Sequence, residues 1–154
     1  MSNGNLGLYV HVPFCDGKCP YCDFYSLRGT DELMDAYTEA VISCLRHWAG
    51  ALGGRGADTM YFGGGTPNLI GAGRLIKILS AARELFGLEN AEITAEVNPG
   101  GDLYPFFREI KAAGVNRLSV GLQSANDGEL MLLGRRHFYI RTQTFKFYNY
   151  RKAP

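Results

Sequence analysis

Two short stretches decide the fold: Ile93-Thr94-Ala95-Glu96-Val97-Asn98 and Arg117-Leu118-Ser119-Val120-Gly121-Leu122-Gln123. Both alternate with period two, the signature of a strand. Thr94, Glu96 and Asn98 oppose Ile93, Ala95 and Val97. Arg117, Ser119, Gly121 and Gln123 oppose Leu118, Val120 and Leu122. Strands of a doubly wound sheet lie under helices on both sides and read apolar on both faces. Here one face is polar throughout, and polar groups cannot face helices without partners. Such a face suits the wet interior of a (β/α) barrel. The alternative is a half-exposed sheet.

Upstream, the same unit recurs. Leu6 to Val12 alternates Leu8, Val10 and Val12 with Gly7, Tyr9 and His11, and Pro13 ends it. Thr30 or Asp31 then caps a helix carrying Leu33, Met34, Tyr37, Val41, Cys44, Leu45 and Trp48 at helical spacing. Thr59 to Phe62 is a second strand, running into Gly63-Gly64-Gly65-Thr66-Pro67. A helix follows from about Gly73, with Gly87 as its stop. Glu92 to Asn98 is the third strand. Asp102 caps a short helix to Ala113, closed by Gly114, and Asn116 to Leu122 is the fourth strand. Repeated β-loop-α units predict a parallel α/β sheet with right-handed crossovers. About four such units are present, too few to close a barrel.

The chain has 154 residues, of which 46% are hydrophobic and 20% charged, ordinary for one globular unit. Sixteen basic against fifteen acidic residues leave a net charge of +1, so bulk charge steers neither nucleic acid nor an anionic membrane. No apolar run is long enough to span a bilayer, and the start lacks the pattern of a signal peptide. The expectation is a cytoplasmic protein. After His137 the text turns aromatic and basic without clear periodicity, so residues 138–154 are set apart as an atypical tail. It reads as a short edge strand, a nucleic-acid segment, or sequence out of register with the original frame.

Cys15, Cys19 and Cys22 form Cys-x3-Cys-x2-Cys, and Cys44 stands apart. A disulfide framework fits a cytosolic chain poorly, whereas thiolates on short spacers suit a metal centre. A structural zinc site needs four ligands, which His11 could complete as a zinc-stabilised binding module. A cubane cluster held by three cysteines leaves one iron open to a substrate. Cys44, on the apolar stripe of its helix, is expected to be buried.

The run from Tyr9 to Phe24, with its three cysteines, resembles the cluster loop of radical S-adenosylmethionine (SAM) proteins. Within them it resembles the branch of oxygen-independent coproporphyrinogen III oxidase and the HemW-type heme chaperone. Further matching motifs follow in order: Gly63 to Pro67, Thr94 to Pro99, Gly114 to Ser124 and Leu133 to His137. The resemblance covers Leu6 to His137 and implies that residues 1–137 are the N-terminal part of a partial (β/α)6 core. It implies a [4Fe-4S] cluster on Cys15, Cys19 and Cys22, with SAM chelating the open iron. Reduction then cleaves the sulfonium to methionine and a 5′-deoxyadenosyl radical, with a flavodoxin or ferredoxin as reductant. The SAM contacts implied are Tyr9, Tyr21, Gly64, Gly65, Thr66, Glu96, Gln123 and Arg135. The glycines would let backbone N–H and C=O groups approach the ligand. Glu96 would accept from ribose or an ammonium, unless it pairs with Arg117, and Arg135 would clamp a carboxylate. The oxidases carry a further cysteine where this chain has Phe24. The resemblance therefore leans to the chaperone, which binds heme and passes it to an acceptor, over the oxidative decarboxylase.

Overall fold

The computed structural model describes residues 6–135. His137 and the tail set apart after it lie outside that range. The element order is β1 (Leu6–Val12), α1 (Asp31–Ala51), β2 (Ala57–Gly64), a 3-10 turn (Pro67–Ile70), α2 (Gly71–Phe86), β3 (Glu92–Val97), α3 (Tyr104–Ala112), β4 (Arg117–Val120) and α4 (Asp127–Leu132).

The helix ends follow from local chemistry. Thr30 is the cap of α1, its hydroxyl accepting from the Leu33 N–H at 3.3 Å. Gly87 ends α2 in the left-handed region at φ 61°. Asp102 is not the cap of α3: the helix starts at Tyr104, and Asp102 instead takes the Tyr104 N–H at 3.0 Å. α4 was not anticipated. Asn126 begins it by accepting from the N–H groups of Gly128 and Glu129.

The four strands are all parallel and stand in chain order, β1-β2-β3-β4. A doubly wound sheet reverses its strand order partway, and a barrel does not. The first three helices share one core with one face of the sheet. Val10, Val12, Met60, Phe62, Ile93 and Ala95 pack there with Leu75, Ile78, Leu79, Ala82 and Ile110. Burying each of the larger side chains among them contributes about 1.5–3 kcal/mol. The fold is thus α/β, a partial barrel of the TIM-like type.

Register sets the other, inner face. Tyr9 pairs with Tyr61, His11 with Gly63, Tyr61 with Thr94, Thr94 with Arg117 and Glu96 with Ser119. The polar side of β3 and β4 therefore continues into β2 and β1. Thr94 is an exception in exposure: it lies on this face but is buried.

Cys44 is exposed, against expectation. The buried stripe of α1 runs through Thr38, Ile42 and Leu45. At about 100° per residue, Cys44 points roughly 200° away from Ile42. Leu33, about 180° from Ile42, is exposed for the same reason. Across the outer layer, Arg74 of α2 reaches Asp31 (2.9 Å) and Asp35 (2.6 Å) of α1, and Lys77 pairs with Glu39. No helix of the described residues is long and apolar enough to cross a membrane.

Candidate metal centre and cofactor site

Pro13 ends β1 and releases the chain into the cysteine loop. The loop's neck is sewn shut by Leu27 N–H to the Pro13 carbonyl (2.8 Å) and Cys15 N–H to the Leu27 carbonyl (3.0 Å). Phe14 anchors it from below, fully buried and edge-on to Tyr37 at 5.3 Å. Tyr37 donates to the His11 carbonyl at 2.6 Å, and burial pushes its phenol pKa up. Inside the loop, Lys18 donates to the Phe24 carbonyl at 2.9 Å, and Cys22 N–H bonds the Cys19 carbonyl. Cys15, Cys19 and Cys22 are free thiols, each partly exposed. Among the described residues, no group of three His, Cys, Asp or Glu side chains is placed to hold a single metal ion. That holds for His11 with the cysteines. Its ring instead accepts or donates at Nδ1 to the Tyr9 hydroxyl (3.1 Å).

The glycine triplet is packed against this loop. A Cβ on Gly65 would stand 2.7 Å from the Phe14 carbonyl, 2.9 Å from that of Val12 and 3.1 Å from Cys15 Sγ. A Cβ on Gly64, where φ is +106°, would stand 2.6 Å from the His11 ring. The glycines therefore admit the protein's own loop and ring. Their N–H groups are engaged too: Gly64 donates to Glu96 Oε2 (3.2 Å), Gly65 to Val12 (2.8 Å) and Thr66 to Phe14 (2.8 Å).

Glu96 sits on the inner face and does not pair with Arg117, which binds Glu92 at 2.8 Å. Its second oxygen accepts from the Tyr61 hydroxyl at 2.6 Å. That bond, with some burial, raises the Tyr61 pKa. Tyr61 also stacks on Tyr9, their centroids 6.1 Å apart. The Tyr9 pKa is raised by burial and by the Glu96 charge. Sequence reasoning missed Tyr61, because its place beside Tyr9 depends on strand register.

Arg135 gathers the remaining residues. Its Nη2 donates to Asn98 Oδ1 and to the Gly121 carbonyl, both at 2.7 Å. Its Nη1 reaches the Tyr21 hydroxyl (3.3 Å) and Cys19 Sγ (3.7 Å). Burial and the neighbouring Cys19 raise the Tyr21 pKa, and Arg135 opposes them. Asn98 in turn donates through Nδ2 to Thr66 Oγ1 (2.8 Å), which lies 3.5 Å from Cys15 Sγ. Gln123 lies beyond the end of β4, with φ +67°, and its amide reaches the same corner beside Gly121. Asn98 was legible as an inner-face residue, but its part in this network was not.

These residues fit the cofactors that the resemblance implies. Three soft thiols on one closed loop suit an iron–sulfur cluster. Arg135 Nε is buried with no hydrogen-bond partner, as expected of a donor awaiting an acceptor.

Comparison with known proteins agrees. The profile of the Radical SAM superfamily matches residues 9–148. The heme chaperone HemW of Escherichia coli is 39% identical over 135 residues, covering 86% of this chain and 35% of that protein. The mitochondrial radical S-adenosyl methionine domain-containing protein 1 of Mus musculus is 42% identical over 137 residues, covering 84% of this chain and 30% of that protein. Among solved structures, coproporphyrinogen III oxidase (HemN) from Escherichia coli, a radical SAM enzyme, superposes with a TM-score of 0.82 at 30% identity. The match covers 91% of this chain and 33% of that one. The chain thus spans about a third of the length of these relatives. By profile, sequence and fold alike, it belongs to the radical SAM superfamily.

Proposed function

We propose that Cys15, Cys19 and Cys22 hold a [4Fe-4S] cluster whose open iron takes SAM, and that the chain serves as part of a HemW-like heme chaperone. The observation that carries the chaperone reading is Phe24, which stands where the resemblance gives the oxidases a further cysteine and is 61% exposed. The likeness to proteins named heme chaperone HemW supports it.

When bound, a reduced cluster of this kind supplies one electron to the sulfonium of SAM. The chain's own residues bind and orient. Tyr9 and Tyr61 make an aromatic wall on the inner face, and Glu96, fixed by Tyr61 and Gly64, presents a carboxylate to ribose or ammonium. Arg135 supplies the cation for the carboxylate of SAM, with Tyr21, Gly64, Gly65, Thr66 and Gln123 as neighbours. Heme is bound and handed to an acceptor protein, and a flavodoxin or ferredoxin supplies the electron. Cluster thiolates persist in a reducing compartment, so we place the protein in the cytoplasm.

The structural likeness to coproporphyrinogen III oxidase favours a second reading, oxidative decarboxylation of a porphyrinogen. Hemin titration of the anaerobically reconstituted chain separates the two. The chaperone reading expects a saturable Soret shift near one heme per chain and no loss of propionate carboxyls from coproporphyrinogen III with SAM and reductant. Decarboxylation without heme binding overturns it. Zinc in place of iron and sulfide marks the zinc module instead.

A further inference from the structure

Asn98 stands at the carboxyl end of the sheet, just past β3, and its amide joins two cysteine neighbours that are distant in sequence. Proton bookkeeping fixes the directions from Arg135 through Asn98 to Thr66. A guanidinium has donors and no acceptor. Arg135 Nη2, 2.7 Å from the amide, therefore requires Asn98 Oδ1 as its acceptor. The amide's other end must then be Nδ2, which donates to Thr66 Oγ1 at 2.8 Å. Thr66 keeps its own hydroxyl proton to give, and Cys15 Sγ lies 3.5 Å away; a sulfur that ligates a cluster carries no proton and can only accept it. At the other end, Arg135 Nη1 is 3.7 Å from Cys19 Sγ and donates to it. The Asn98 backbone is held in turn, its N–H bonded to Asn68 Oδ1 at 3.0 Å.

We infer that Asn98 is a positioning residue that aims two donors, the Thr66 hydroxyl and the Arg135 guanidinium, at Cys15 and Cys19 and so raises the reduction potential of the cluster they hold. Hydrogen bonds to ligating sulfurs stabilise the more negative, reduced state. The inference rests on the cluster assignment proposed above. It also gives Thr66 a role toward sulfur separate from any contact with SAM.

The test is a redox titration, followed by electron paramagnetic resonance, of the full chain reconstituted with iron and sulfide, with iron content and circular dichroism measured on each sample. Thr66→Val, which removes the hydroxyl and keeps the volume, is expected to shift the midpoint to more negative potential. Thr66→Ser is expected to restore it. Asn98→Ala is expected to shift it in the same direction, and by less when Thr66→Val is already present. A purely structural role lowers the iron content but leaves the midpoint of the remaining clusters where it was, and that result overturns the inference. Should Asn98→Ala fail to fold, the Thr66→Val and Thr66→Ser pair decides alone. Full iron content with an unmoved midpoint in Thr66→Val overturns the inference while leaving the cluster assignment standing. A folded wild-type chain that takes up no cluster overturns both.

Discussion

At the scale of single residues, the glycine triplet is packed against the protein's own loop and the His11 ring. The sequence motif made Gly64 and Gly65 legible as a site, but not what fills the space at their α-carbons. That depends on the loop after β1 folding back over β2, which no local pattern reports. Gly65→Ala would drive a methyl against two carbonyls and Cys15 Sγ. It is expected to cost about 1–3 kcal/mol, read as a lower urea midpoint, and to reduce iron uptake. An unchanged midpoint contradicts the packing. Glu96→Gln tests the neighbouring site. Its amide oxygen can still accept from Gly64, and its amide nitrogen can donate to the Tyr61 oxygen. Stability should change by less than about 1 kcal/mol, whereas SAM binding, followed by isothermal titration, should weaken roughly tenfold, or about 1.4 kcal/mol. The Tyr61 pKa, raised chiefly by the bond to Glu96, should fall toward its ordinary value.

Among the elements, strand and helix positions were largely legible because alternation and capping are local. β1 runs from Leu6 to Val12 as its alternation predicts. Cys44 was misplaced because α1 carries more apolar residues than one face can bury. Which of them faces the sheet is settled by contact with β1 and α2. The pairing of α1 with α2 was not legible, since Arg74 and Asp35 are 39 residues apart. This contact has a pH signature. The Arg74 guanidinium beside Asp35 holds its carboxyl below the ordinary value. A carboxyl depressed in the folded state stabilises above the unfolded pKa of ~3.9 and loses that contribution as pH falls through the folded value. Arg74→Ala should therefore lower the urea midpoint at pH 7, with the gap to wild type narrowing as pH drops below about 4. A gap that stays constant down to pH 2 contradicts the assignment.

For the whole molecule, the architecture follows from one observation available in the sequence: a polar strand face in a parallel α/β repeat. The inner faces of β1 and β2 were harder to assign, because Tyr61 and Gly63 do not read as polar. Register alone joins them to Glu96 and Ser119. Among the described residues β4 is an outer strand, and around it Val120, Met131 and Leu132 are exposed, the last at 85%. Apolar surface beside an exposed strand edge favours association. The 154-residue chain is expected to sediment as concentration-dependent oligomers, and a monomer at every concentration, unfolding in one cooperative step, contradicts this. The central claim is that three cysteines hold a cluster with an open iron on this scaffold. The most direct measurement is the electron paramagnetic resonance spectrum of the anaerobically reconstituted, reduced chain with and without SAM. A reduced-cubane signal that shifts when SAM is added is the predicted result. A folded chain that shows no cluster signal, or a cluster signal indifferent to SAM, contradicts it.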